Sequence, residues 1–308
     1  MKYFDCHCDT LTCLAKNGGN LKKNHINLDL ERIKNQFCGY GQIFALWSDV
    51  KNVGDPVEEH FWGMYQRALA LLEEQKDYIT FCRSADDLEN AWQAGKAAAF
   101  LSIEDASYMG SYIEQAKELG IRFVLPVWNY ENVYGYGAVA DNQKGLKPAG
   151  IEMIRKMEEQ EMVIDVSHLS EGGFYDVCQI TERPFMASHS NARACCDHLR
   201  NLTDEQIRIL IERKGFMGIN LYRAFLGREG CGIEAVLFHI EHVLELGGED
   251  VIGFGGDLDG CSSQFPKGFT GAESLEKIVE LLLRHNYPED LVKKIFSGNA
   301  EAFLKRVL

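Results

Sequence analysis

Eight short apolar runs, each of strand length, recur along this chain from end to end. They lie at Tyr3–His7, Gln42–Trp47, Ala97–Glu104, Phe123–Trp128, Val163–His168, Phe185–His189, Phe216–Leu221 and Val251–Asp257. Amphipathic stretches separate them. Residues 57–75 place Phe61, Tyr65, Ala68, Leu71 and Leu72 on one helical stripe. Ser84-Ala-Asp-Asp87 is a capping-box-like start to a short helix that stops at Gly95, and Thr203-Asp-Glu-Gln206 starts another. Pro288 opens the penultimate helix in its first turn. Eight β–α alternations predict an α/β fold, a closed (β/α)8 barrel of TIM type, with residues 1–308 forming one domain.

The bulk numbers bound the partners. Hydrophobic residues make up 46% and charged residues 25%, a globular balance. The formal net charge of -14 makes nucleic acid and anionic membrane poor partners, while a small-molecule site remains compatible with it. No apolar run approaches a membrane span, and Lys2-Tyr3-Phe4-Asp5 does not start a signal sequence. A cytoplasmic chain with reduced thiols is expected, and its ten cysteines are irregularly spaced. Cys6, Cys8, Cys195 and Cys196 are read as small apolar residues rather than ligands.

The chemistry sits where the apolar runs stop. The first ends in Asp5-Cys6-His7-Cys8-Asp9-Thr10, the fifth in His168, the sixth in His189 and the eighth in Gly255-Gly256-Asp257. Strand alternation predicts Asp5, His7 and Asp9 on one face, with Cys6 and Cys8 on the other. In a barrel the carboxyl ends of the strands converge on one mouth. His7, Asp9, Glu104, His168, His189 and Asp257 would then share a cup. Imidazoles mixed with carboxylates suit a borderline-soft divalent ion, zinc first. Six groups exceed what one tetrahedral ion needs, so two zinc ions are expected, with Glu104 bridging. Water between two such ions becomes a hydroxide nucleophile near neutral pH, and Asp257 can move its proton. The reaction class is metal-assisted hydrolysis of an amide or ester. The other six histidines, His239 and His242 included, fall in helical or loop contexts and are read as structural. Asp259 is read as a turn or supporting carboxylate and Asp165 as an interior polar partner.

The pattern resembles the membrane (renal) dipeptidase family of zinc peptidases, in a soluble microbial form. The likeness covers nearly the whole chain in order. Asp5-x-His7-x-Asp9 is similar to the family's opening motif. Ser84-Ala-Asp-Asp-Leu88, Gly95-Lys96 and Ser102-Ile-Glu104 resemble the segment with its bridging glutamate. Asp165-Val-Ser-His168-Leu169 and Ala187-Ser-His189-Ser-Asn-Ala-Arg193 resemble its two later histidine motifs. Arg193 to Asn201, Gly255-Gly-Asp257-Leu-Asp-Gly260 and the ending 298–308 match its remaining segments. The resemblance implies one zinc on His7, Asp9 and Glu104 and the other on Glu104, His168 and His189. It implies Asp257 as the proton shuttle at the substrate and Arg200 as the clamp for a dipeptide's free carboxylate, which a guanidinium fork fits.

One departure stands out. After the fourth strand the family carries a histidine that helps hold the substrate or the tetrahedral intermediate. Trp128 stands there, followed by Asn129 and Tyr130, which could substitute. The expected function is zinc-dependent hydrolysis of dipeptides. The alternatives are another amidohydrolase acting on N-acyl amino acids or lactones, or a metal-binding homologue without catalysis. The small dipeptide is the expected partner, with no nucleic acid and no membrane, and with room for a homodimer. Residues 129–150, rich in glycine, are read equally as a lid over the mouth or as a plain connection.

Overall fold

The computed structural model describes residues 1–53, 56–227 and 230–308. Its strands are β1 (Lys2–Cys8), β2 (Gly39–Leu46), β3 (Ile79–Phe81), β4 (Ala97–Glu104), β5 (Ile121–Leu125), β6 (Val163–Ile164), β7 (Met186–Ala187), β8 (Phe216–Ile219) and β9 (Ile252–Phe254). They pair in parallel in the order β6-β5-β4-β2-β1-β9-β8-β7. A parallel bridge between Asp165 and Met186 joins the two ends of that order, with Val166 N–H donating to Met186 O at 2.8 Å. The eight strands therefore ring a barrel, as the alternation predicts.

The exception is β3, which the hydrophobic pattern does not reveal. It lies off the ring and, among the described residues, pairs only with β4, from Ile79↔Ala97 to Phe81↔Ala99. Three residues are too few to show a period of two, so only pairing makes this segment a strand.

Aromatic packing fills the ring. Phe4 and Phe100 have ring centroids 6.1 Å apart although β2 runs between their strands, which places both side chains inside the barrel. Gly41 on β2 makes room: a Cβ there would stand 2.2 Å from Phe4 Cδ2. Phe123 meets Phe100 edge-on, and Phe216 packs against Phe303 of the C-terminal helix Asn299–Val307. Truncating one of these buried rings to alanine costs about 3–5 kcal/mol.

The outer helices follow their local signals. Ser84 and Thr203 form the expected capping boxes with Asp87 and Gln206. Helix Val57–Glu74 buries Phe61, Met64, Tyr65, Ala68, Leu71 and Leu72 along one stripe. Pro288 sits at the N-cap of helix Glu289–Lys293, one residue before the expected position. Among the described residues no helix is long and apolar enough to cross a membrane. All ten cysteines are free.

Candidate active site

The opening string is bent by a bulge. Asp5 pairs with Gln42 and Cys8 with Phe44, so three steps along β1 oppose two along β2. The extra residue resets the alternation. Cys6 packs with Phe4 and Phe100 inside the ring, while Cys8 joins Tyr3, Leu11 and Phe44 on the other side. The expected common face for Asp5, His7 and Asp9 therefore fails at Asp5. Its carboxylate lies behind the site, taking the Tyr3 hydroxyl at 2.5 Å and the amide N–H groups of His7 and Gly256 at 2.9 and 3.0 Å. That placement holds the backbone of β1 to the loop after β9.

His7 turns into the mouth. Its Nε2 stands 3.5 Å from Asp9 Oδ2, 3.7 Å from Glu104 Oε2 and 4.0 Å from Asp257 Oδ1. Neither ring nitrogen has a hydrogen-bond partner, and the side chain is buried. Three carboxylates and an imidazole at these spacings are too far apart to satisfy one another. They suit a cation between them, because ligand atoms about 2.0–2.2 Å from one ion lie somewhat over 3 Å apart. Burial pulls the His7 imidazole down, yet Glu104, Asp9 and Asp257 together outweigh it and push it up to about 10.

The other expected histidines arrive by a different route. The strands expected to extend to His168 and His189 end earlier, at Ile164 and Ala187, with only the isolated Asp165–Met186 bridge beyond the first of them. Asp165 diverts the chain by accepting from Ser167 N–H, Ser167 Oγ–H and Ser188 N–H at 3.0, 2.7 and 3.0 Å. The two imidazoles then meet, Nε2 to Nε2, at 2.9 Å. His168 Nε2 is 2.8 Å and His189 Nε2 3.7 Å from Glu104 Oε1. Their Nδ1 atoms are engaged by Asn129 Oδ1 at 2.9 Å and Ser188 Oγ at 2.7 Å. Burial first, then Arg200 and His7, hold both imidazoles well below their usual range. Glu104 thus presents one oxygen to each group, and burial raises its carboxyl, with Asp9 and Asp257 adding to the rise.

Asp257 and Arg200 complete the cup. Asp257 adopts φ 58°, a left-handed conformation that costs a non-glycine residue about 1 kcal/mol or more. Its Oδ2 accepts from Asn220 Nδ2 at 3.1 Å, and burial pushes the carboxyl up to about 6, with Asp9 adding and His7 opposing. Arg200 is only 3% exposed, and among the described residues none of its three guanidinium nitrogens has a hydrogen-bond partner. Its guanidinium carbon lies 5.4 Å from the Phe225 ring centroid. Burial lowers it to about 10, against the pull of Asp257, Glu104 and Asp165. Asp9, Glu104, His168, Arg200 and Asp257 line one cavity of about 280 Å³.

The chain belongs to the membrane dipeptidase family, peptidase family M19, which it matches over residues 1–307. It is a metallo-dipeptidase, a hydrolase of peptide bonds. A protein of Klebsiella pneumoniae described only by its place in the pqqA 5' region is 30% identical over 271 residues, 82% of this chain and 98% of that one. Two solved structures share the fold. The metallopeptidase described as dipeptidase AC is 28% identical, with a TM-score of 0.89 over 100% of this chain and 98% of its own. A metallopeptidase of Rhodobacter sphaeroides, solved with a phosphinate mimic of the dipeptide L-Ala-D-Ala, is 26% identical, with a TM-score of 0.90 over 100% and 99%.

Several groups behave differently from their sequence expectations. Trp128 lines the cavity with its ring 4.8 Å from Trp47. Asn129 does not stand free to replace a histidine through its oxygen, which is committed to His168. Tyr130 turns away, under Lys51 Nζ at 4.0 Å. Asn220 escaped the sequence reading, and Ser188 and Gly260 entered it only as members of motifs, without a role. No local pattern marks them, because each matters only through a neighbour far along the chain. His239 and His242 are structural: His239 bonds Ala192 N–H and Leu226 O at 3.1 Å each, and His242 bonds Asp204. Residues 129–150 are fastened down, with Ala138 N–H on His168 O at 2.9 Å and Leu146 N–H on Asp176 Oδ2 at 2.6 Å.

Proposed function

We propose that this metallo-dipeptidase uses two zinc ions, one on His7, Asp9 and Glu104 and the other on Glu104, His168 and His189. Asp257 would move the proton and Arg200 would hold the free carboxylate of the dipeptide. The observation that carries the reading is the buried, partnerless Arg200 guanidinium in the same cavity as the divided Glu104 carboxylate. An unsatisfied buried cation is costly, so such a group waits for an anion. A terminal carboxylate meets its fork with two charge-assisted hydrogen bonds.

Zinc bound there supplies Lewis acidity, polarising the scissile carbonyl and making water acidic enough to attack as hydroxide near neutral pH. The protein groups do the rest. Asn129 and Ser188 fix the rings of His168 and His189 through their Nδ1 atoms, leaving each Nε2 turned to Glu104. Asn220 holds Oδ2 of Asp257 and leaves Oδ1 to accept a proton from the attacking water. The same oxygen returns it to the departing amine nitrogen. Trp47 and Trp128 cover one wall and exclude bulk water from the reacting atoms.

The test is hydrolysis of a dipeptide panel with added zinc, beside N-acetyl amino acids and lactones. Dipeptide turnover is expected; turnover of the acylated amino acids or lactones alone would overturn the substrate class. Anomalous scattering at the barrel mouth should count two ions, and a single site would remove the bridging role of Glu104.

A further inference from the structure

Arg200 is not the only cation at the mouth. Lys16 lies in the last turn of helix Thr10–Asn17 and lines the same cavity. Its Nζ stands 4.7 Å from the ring centroid of Trp47, the residue that follows β2. Arg200 follows β7. In the order β2-β1-β9-β8-β7 the two strands are four steps apart, half of an eight-strand ring. Both cations line the one cavity, together with Asp9, Glu104 and Asp257.

Lys16 has no hydrogen bond or ion pair within 4.0 Å among the described residues. It feels Asp9, Asp49 and Glu104 only through space, and partial burial lowers its ammonium from the usual range. It is solvent-exposed at the rim, so it is not part of the core. A free ammonium over an indole face, opening on a substrate cavity, is a recognition element for an anion.

A dipeptide spans about 7 Å along its backbone. With its carboxylate on Arg200 and its peptide bond over Glu104 and Asp257, the lining left for its amino-terminal side chain would include Trp47, Trp128 and Lys16. The indoles offer an apolar surface to methylene groups, and Lys16 offers charge at the end. We propose that Lys16 determines specificity, selecting dipeptides whose amino-terminal residue carries a carboxylate side chain. The inference rests on the dipeptidase reading of the site. A basic side chain in that position meets like charge and is rejected, which gives the selectivity a repulsive as well as an attractive part.

The test compares kcat/KM for Glu-Ala, Ala-Ala and Lys-Ala in the zinc-loaded enzyme and in its Lys16→Met and Lys16→Glu variants. The wild type should favour Glu-Ala over Ala-Ala by about fivefold, the scale of a rim-exposed ion pair. Lys16→Met should erase that ratio, and Lys16→Glu should shift the preference to Lys-Ala. Ala-Ala turnover with ratios that neither variant moves would overturn the role of Lys16 and leave the dipeptidase reading standing. No turnover of any dipeptide by the wild type would overturn both.

Discussion

Asn129 Oδ1 accepts the Nδ1 proton of His168 at 2.9 Å, and so leaves the lone pair of His168 Nε2 directed at the centre of the mouth. The residue next to Trp128 thus acts on the proposed ligand set rather than standing apart from it. Asn129→Leu should lower zinc affinity by about 10–100-fold, the usual loss when a ligand's supporting bond is removed. Asn129→Asp should retain most of it. Competition with a chelator measures both, and an unchanged affinity in Asn129→Leu would refute the orienting role.

Gly260 tests how tightly the carboxylates are placed. A Cβ on it would stand 2.2 Å from Asp257 Oδ1 and 2.3 Å from Asp9 Oδ2. Its backbone does not need glycine, because it is absent from the positive-φ positions. Gly260→Ala should keep its circular dichroism spectrum and lose about a hundredfold or more in kcat/KM, since small misplacements of reacting groups have that effect. Wild-type kinetics would show that Asp9 and Asp257 can move aside.

Arg200 should trade stability for function. Replacing its guanidinium with a shorter apolar side chain, as in Arg200→Leu, removes a buried and unsatisfied cation. The metal-free variant should unfold at higher denaturant, by about 2 kcal/mol. Its kcat/KM on dipeptides should fall about a hundredfold or more through the lost carboxylate bonds. Equal loss of stability and activity would make Arg200 an ordinary core residue.

His239 predicts a pH dependence away from the site. It is fully buried, Ala192 N–H fills its Nδ1 acceptor, and burial lowers the imidazole to about 4. The unfolded chain binds a proton near pH 6.5, the folded one near pH 4. The contribution is therefore complete above about pH 6.5 and is lost as pH falls toward 4, reaching about 3 kcal/mol. His239→Gln should flatten the wild-type decline in unfolding free energy between pH 7 and pH 4.5. An unaltered slope would place that decline elsewhere.

The alternation of apolar runs with capped amphipathic helices was enough to write down the barrel, because period and capping are local properties of the chain. That His7, Glu104, His168, His189 and Asp257 come near one another could be expected for the same reason: each follows an apolar run that feeds the barrel mouth. The resemblance added Arg200, whose local context gives no sign of its burial.

What only the tertiary structure decided are the relations between residues far apart in the chain. The bulge in β1 separates Asp5 from His7, and Asp165 ties together Ser167 and Ser188, the neighbours of His168 and His189. Gly260 owes its importance to Asp9, Asn129 to His168, and Lys16 to its place over Trp47 at the cavity. Hydrophobic periodicity encodes which face of an element is buried. It does not encode which side chains from other strands will meet that face, because strand order and closure of the ring are set by packing of the whole chain.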